Sequence, residues 1–320
     1  MSILLSVIVP VYNTQRHLES CVASILLQSI NKMEVIIVND GSTDNSSEIC
    51  NKLAASDKRI KVVHQNNLGL SAARNTGIGI SRGRYITFVD SDDVILENTY
   101  VKNLKLMLED ESIDVICFPY IYPYNKNKHE TGAERILRFK DKRSFLLNHL
   151  NNNVNHAVWN KIFKKQIFEN IRFPEGRFFE DTYLLNVLSR MGLCYYCSGV
   201  GAYGYNLWNG SIMNSAVSSK KVIDRTIAYA RFLSEACLDE YIANNKYYTE
   251  AYHYTLLYLY NLKKTSVIGD NEFAIMYDKF NDLPLSVFSI LISKISLKEK
   301  LRLLCCKYFG VKRILQISIG

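Results

Sequence analysis

Two apolar runs, each ending abruptly in carboxylates, constrain this chain more than any other feature. Glu34 to Asp44 reads EVIIVNDGSTD, and about fifty residues later Arg84 to Asp93 reads RYITFVDSDD. Runs of four or five apolar residues bounded by turn residues are the pattern of strands buried on both faces. Carboxylates placed directly after such strands fall at the carboxyl edge of a sheet, where open α/β folds bind their ligands.

The first 120 residues repeat this alternation. Leu4–Pro10 reads as a strand closed by Pro10 and the turn Tyr12-Asn13-Thr14, and Leu18, Val22, Ile25 and Leu26 then share a helical face. Strands follow at Val35–Val38, Ile60–His64, Tyr85–Val89 and Val115–Phe118, with helices expected over 69–83 and 98–108. Gly41-Ser42-Thr43-Asp44 supplies a tight turn and capping residues. Repeated βα units predict a mainly parallel sheet covered by helices on both faces. Regularity weakens from Tyr120 to His156, where Asn125–His129 reads as an exposed loop and 143–150 as a helix. From Ser219 to Gly320 the pattern is helical throughout. The expected organisation is therefore a nucleotide-binding and catalytic domain over 1–218 and a helical C-terminal region over 219–320.

An apolar fraction of 48% supports a sizeable core. The balance of 39 Lys+Arg against 31 Asp+Glu leaves a moderate +8, and no nucleic-acid partner is expected. Eight cysteines lack the dense spacing of a disulfide scaffold. The Cys194-Tyr195-Tyr196-Cys197 pair lies in a strand-like run without a second ligand pair for zinc. Reduced structural thiols are expected, and with them a cytoplasmic setting. No secretory leader is expected, since 3–9 is short and runs straight into a turn, and no apolar stretch reaches the length of a transmembrane helix.

Asp90-Ser91-Asp92-Asp93 offers hard oxygen donors of the kind Mg²⁺ or Mn²⁺ prefers, and such ions commonly also hold substrate phosphates. Three clustered carboxylates without a cation would repel one another. The Arg74 guanidinium suits a phosphate, or alternatively a salt bridge to a sheet-edge Asp. Asp40 ends a strand and can accept a hydrogen bond from a base; a turn or capping role is the alternative. Asp181 precedes the helix expected over 182–191 and suits either a general base or a helix cap.

Four segments in order, VIVPVYN (7–13), NDGSTD (39–44), NLGLSAARN (67–75) and DSDD (90–93), strongly resemble glycosyltransferase family 2. These are inverting sugar transferases with a GT-A nucleotide-sugar-binding fold. The resemblance covers residues 1 to about 118 and continues less tightly through Trp159-Asn160-Lys161, Phe179-Glu180-Asp181 and Gly210-Ser211-Ile212. It implies that Pro10, Tyr12 and Asn13 line the nucleoside pocket and that Asp40 meets the N3–H of a uracil. Arg74 would meet the phosphates, and Asp90 would lie near the ribose, with Ser91 beside it. Asp92 would bind a Mn²⁺ or Mg²⁺ bridging the diphosphate, with Asp90 as the second candidate metal ligand and Asp93 in support. Asp181 would be the base, with Glu180 as fallback. Trp159 and Lys161 would lie near the acceptor and phosphates, or else simply pack. His156 reads as structural, with a third metal ligand as the alternative. Relatives often carry an Arg between the position of Tyr205 and Gly-Ser-Ile, which this chain lacks.

The expected activity is metal-dependent transfer of a sugar, from a UDP-sugar, to a hydroxyl of a saccharide acceptor. The expected acceptor is a lipid-linked polysaccharide intermediate of a capsule, exopolysaccharide or O-antigen. A non-catalytic nucleotide-sugar-binding protein of the same fold is the alternative. A dehydrogenase is disfavoured, because no Gly-x-Gly-x-x-Gly opens a helix after the first strand. Residues 291–320 hold seven Lys and Arg against the single acid Glu299, interleaved with apolar residues. That segment is expected to lie on an anionic membrane surface on the inner face of the cell membrane. An ordinary surface helix is the alternative.

Overall fold

The computed structural model describes residues 2–123, 136–207, 218–269 and 283–309, with isolated positions between 271 and 280. The expected loop at 125–129, the Gly210-Ser211-Ile212 segment and the tail beyond 309 lie outside the described residues. The chain divides into two compact units, one formed by Met1–Asp141 and Asn152–Ser215, the other by Lys142–Asn151 and Ala216–Gly320. The helix expected near 143–150 groups with the C-terminal helices.

In the first unit an eight-stranded sheet has the order β3-β2-β1-β4-β9-β6-β10-β8. Its strands are β1 (Leu5–Val11), β2 (Met33–Asp40), β3 (Ile60–Gln65), β4 (Tyr85–Phe88), β6 (Val115–Cys117), β8 (Leu137–Phe139), β9 (Lys161–Lys164) and β10 (Tyr195–Cys197). Strands β1 to β4 pair in parallel, with Val7 opposite both Val35 and Thr87. β9 enters antiparallel between β4 and β6. A small second sheet joins β5 (Val94–Ile95), β7 (Tyr120–Ile121) and β11 (Tyr203–Gly204). This mixed, mainly parallel α/β architecture is the one expected.

The period of two along a strand divides the core. Leu5, Val7 and Val9 pack with Leu18, Val22 and Ile25 of α1 (Leu18–Leu26), with Cys50 of α2 (Ser46–Ser56) and with Tyr100, Leu104 and Met107 of α4 (Thr99–Glu109). On the other face α3 (Leu70–Ile80) lies so close that a Cβ on Gly77 would come within 2.4 Å of Ile8 Cγ2. Ile36, Val38 and Ala73 pack together on that face. Each fully buried aliphatic side chain contributes about 1.5–3 kcal/mol. Such a core holds the strand ends, and the loops that follow them, at fixed height.

The second unit is helical, built from α5 (Lys142–Leu150), α7 (Ser219–Ala236), α8 (Glu240–Ala243), α9 (Lys246–Lys264) and two later helices, Val287–Ile292 and Leu297–Phe309. Its interior contains Phe145, Leu146, Phe232, Tyr248, Tyr252 and Ile290. No helix among the described residues is long and apolar enough to cross a membrane.

Candidate active site

Three loops at the carboxyl edge of β1, β2 and β4 are laced together by side chains. Asn13, in the left-handed region at φ +54°, accepts through Oδ1 from the Thr43 backbone N–H at 2.8 Å and donates its own backbone N–H to Ser42 Oγ at 3.1 Å. Thr14 donates its backbone N–H to Ser46 Oγ and its hydroxyl to Ser91 Oγ at 2.9 Å. Gly41, at φ +68°, lets its turn approach the chain at Asn67, where a Cβ would sit 2.7 Å from a backbone nitrogen. Pro10 is buried within β1, Ser91 is buried, and the Tyr12 ring stands 47% exposed on the rim.

Asp40 is buried at the end of β2. Its Oδ1 accepts from Gln65 Nε2 at 2.7 Å and the Leu68 N–H at 2.9 Å, and its Oδ2 from the Gly69 N–H at 2.8 Å. This carboxylate therefore orders the loop that enters α3. A carboxylate accepts about four hydrogen bonds, so capacity remains for a ligand donor.

Arg74, on the buried face of α3, is the centre of the arrangement. One Nη donates to Asp90 Oδ1 at 2.9 Å; the other reaches Glu180 Oε1 at 2.5 Å and Asp181 Oδ1 at 3.0 Å. Phe88 and Phe173 flank the guanidinium, their ring centres 6.0 and 5.3 Å away. Both Nη atoms are committed to carboxylates, so the structure has Arg74 in its salt-bridging arrangement. It joins the turn after β4 to α6 (Glu180–Leu188), and Glu180 lies 106 positions from Arg74 in the chain.

The helix start differs from expectation. Phe179, at φ +59°, is the cap residue, and Glu180 and Asp181 occupy the first turn. Asp181 is thus not the cap, and its carboxyl points elsewhere: Oδ1 to Arg74, Oδ2 to the Val158 N–H at 3.3 Å. Burial above all raises its carboxyl, Arg74 and Lys161 pull it down and Glu180 and Asp90 add to the rise, leaving it pushed up to about 7. Its side chain keeps 18% exposure. A carboxylate that titrates near neutrality while reaching solvent has the properties of a general base.

The acidic turn is tied down from below. Asp93 is buried and accepts from Tyr203 Oη at 2.6 Å and from the Asn206 N–H at 2.7 Å. Burial, then Asp92 and Asp90, hold the Asp93 carboxyl well above the usual carboxylate range. Burial and the same three carboxylates raise the Cys21 thiol. That local excess of negative charge, built from oxygen donors, fits a hard divalent cation. Asp92 is half-buried beside it. Among the described residues no three His, Cys, Asp or Glu side chains converge on one metal position. Asp92 and Asp90 would hold the ion, with further oxygens coming from substrate and water.

Lys161 is buried, and its Nζ donates to Asn155 Oδ1, Asn160 Oδ1 and the Ala157 carbonyl at 2.8, 3.0 and 2.5 Å. It organises the 155–160 loop. Trp159 stacks on Tyr203, with ring centres 4.4 Å apart, and contacts Tyr120 and Tyr205 at 5.1 and 5.5 Å. This aromatic group, hydrogen-bonded through Tyr203 to the acidic turn, was not anticipated as a unit. The abundance of Tyr around 120–122 and 203–205 was its only sequence signal. His156 meets Thr182 Oγ1 at 3.2 Å.

The carboxyl edge of a mainly parallel sheet, an acidic turn rich in oxygen donors and a buried carboxyl raised to about 7 thus meet around Arg74. A family model described as Glycosyl transferase family 2 matches residues 6–172. The chain belongs to glycosyltransferase family 2 and is a transferase. It is 32% identical over 253 residues to glycosyltransferase GlyG of Streptococcus pneumoniae serotype 4, covering 74% of this chain and 82% of that protein. Glycosyltransferase GlyA of the same organism is 35% identical over 226 residues, but the chain spans only 31% of its length. Among solved structures, S. aureus TarS 1-349 in complex with UDP-GlcNAc shares the fold at TM-score 0.68 and 18% identity, over 99% of this chain and 91% of that one. The mannosyltransferase PcManGT from Pyrobaculum calidifontis in complex with GDP-Man and Mn2+ does so at 0.55 and 16%, over 99% and 83%.

Proposed function

We propose that the protein is a metal-dependent inverting glycosyltransferase. It takes a sugar from a UDP-sugar and delivers it to a hydroxyl of a lipid-linked saccharide during assembly of a surface polysaccharide. The observation that carries this reading is the Arg74 bridge. It sets a carboxylate of the cation-binding turn, Asp90, and a carboxylate titrating near 7, Asp181, on one rigid guanidinium. Catalysis is assigned to residues 1–218, and residues 219–320 are assigned to membrane association on the cytoplasmic face.

Asp40 and the Tyr12 ring would hold the nucleobase, with Pro10 and Asn13 shaping the wall and Ser91 supporting the turn. Asp92, with Asp90, would hold Mg²⁺ or Mn²⁺; the ion supplies a Lewis acid that neutralises charge on the departing nucleoside diphosphate. The acceptor hydroxyl oxygen bonds to the anomeric carbon as the bond from that carbon to the diphosphate oxygen breaks. Asp181 takes the hydroxyl proton. Glu180, on the same Arg74 nitrogen, keeps that nitrogen from neutralising Asp181 alone. The aromatic group around Trp159 offers a face on which an acceptor sugar ring can stack.

UDP-GlcNAc in TarS and GDP-Man with Mn2+ in PcManGT define the first donors to try. Thermal shift with a panel of nucleotide sugars, with and without Mn²⁺, is expected to pick out one UDP-sugar whose effect needs metal and vanishes in Asp92→Ala. Binding without turnover on any saccharide acceptor would favour the non-catalytic alternative; a shift with no metal requirement would remove the ion from the scheme.

A further inference from the structure

The second unit carries a surface unlike an ordinary solvated helix face. Six of its large apolar side chains between Phe288 and Tyr308 are exposed: Phe288 64%, Leu291 56%, Ile292 45%, Leu297 75%, Leu301 55% and Tyr308 66%. At 3.6 residues per turn, Leu297, Leu301 and Tyr308 fall within about 40° of one another around the helix Leu297–Phe309. Leu303, on the far side, is buried. The helix is therefore apolar both inward and outward, and a contiguous exposed apolar patch marks a contact surface.

The basic residues divide into two sets. Lys300 Nζ donates to the Leu291 carbonyl at 2.6 Å and Lys307 Nζ to the Leu285 carbonyl; these two cations staple the helix to the preceding segment. Lys294, Lys298 and Arg302 are exposed, and the latter two follow Leu297 and Leu301 by one residue each. The single acid, Glu299, is turned back to accept from Ser296 through its backbone N–H and hydroxyl at 2.9 and 2.8 Å. The outward face thus pairs an apolar stripe with a flank of cations. An open cavity of about 970 Å³ nearby, lined by Phe288 and Ile292 among others, balances Arg143 and Lys246 against Asp239 and Glu240. Glu250 Oε1 accepts the Lys294 backbone N–H at 2.7 Å, so the net positive charge beside the stripe rests on Lys298 and Arg302.

We propose that the exposed face formed by Leu297, Leu301 and Tyr308, flanked by Lys294, Lys298 and Arg302, is a docking surface for an anionic lipid bilayer. The apolar stripe enters the boundary between headgroups and acyl chains while the cations meet lipid phosphates. The long stems of the Lys and Arg side chains cover apolar surface as their charged ends reach the headgroups. This gives the membrane association assigned above its residues, and it does not depend on which sugar is transferred.

The test is co-sedimentation of the full chain with phosphatidylglycerol-containing vesicles and with phosphatidylcholine vesicles. Binding is expected to the anionic vesicles, weakening as salt is raised. Each cation removed should weaken partitioning about fivefold, so Lys298→Ala with Arg302→Ala costs about 25-fold. Leu297→Glu with Leu301→Glu should abolish binding, with the helical circular dichroism spectrum kept because both sites face solvent. Equal binding to both vesicle types, no binding, or variants that bind like wild type would overturn the proposal. So would a dimer that Leu297→Glu with Leu301→Glu converts to monomer, because a second copy would then own the face. Transfer to a water-soluble acceptor, measured in parallel, should be unchanged in all variants. Loss of vesicle binding with transfer intact separates this inference from the catalytic reading.

Discussion

Asp181 has a pH dependence that can be read from its surroundings. An unfolded aspartate titrates near about 3.9, whereas burial pushes this one up to about 7. The folded state then binds more protons than the unfolded state between those values. The contribution of Asp181 to stability is greatest at the acid end of that window and falls as pH rises through it. Activity runs the opposite way, because the base must be ionised: kcat/KM should climb about tenfold per pH unit below 7 and level off above it. A profile that is flat across neutrality would remove Asp181 from the proton-transfer step. Asp181→Asn should lose transfer about 10²–10⁴-fold while gaining stability at pH 8, on the order of 1–3 kcal/mol. That gain should vanish toward pH 4, and melting temperatures across the series would show it.

At the level of elements, Arg74 holds α3, the turn after β4 and the start of α6 in one register. Removing a buried charge leaves its partners uncompensated, so Arg74→Met should cost about 3–5 kcal/mol in urea unfolding, with transfer lost along with the register. A cost below about 1 kcal/mol would mean that the three carboxylates find water instead. Gly77→Ala tests the packing of α3 on β1; the added methyl meets Ile8, and a loss of about 1–3 kcal/mol is expected. Both depend on contacts only partly legible in the sequence. The long apolar runs of β1, β2 and β4 and the carboxylates after them could be read directly, because period and turn chemistry are local. β9 could not, since its apolar signal is two residues, Ile162 and Phe163, between lysines. The two-residue strands β5, β7 and β11 carry no periodicity at all. The Arg74 bridge to Glu180 and Asp181 spans more than a hundred residues and leaves no local pattern, so the sequence showed the charged groups but not their pairing.

For the molecule as a whole, the placement of its tryptophans allows donor binding to be followed in one unit. The chain has two tryptophans. Trp159 lies in the first unit, stacked on Tyr203 whose hydroxyl reaches Asp93, and the substitution Trp208→Phe leaves it as the single tryptophan. Tryptophan fluorescence therefore reports the melting of the first unit, while the far-ultraviolet dichroism weighs the helices of the second unit heavily. A ligand that binds only the folded site stabilises it by about 2.7 kcal/mol at a hundredfold excess over Kd. For a unit of this size that is a rise of roughly 5–10 °C in Tm. The fluorescence transition should move by that amount with the cognate donor and Mn²⁺, and should stay in place for Asp92→Ala. A Trp208→Phe chain whose dichroism transition rises with donor while its fluorescence transition stays put would place the nucleotide outside the first unit. That result would sink the assignment of Asp40, Asp90 and Asp92 to donor binding, because every one of those side chains is anchored within the unit that fluorescence reports.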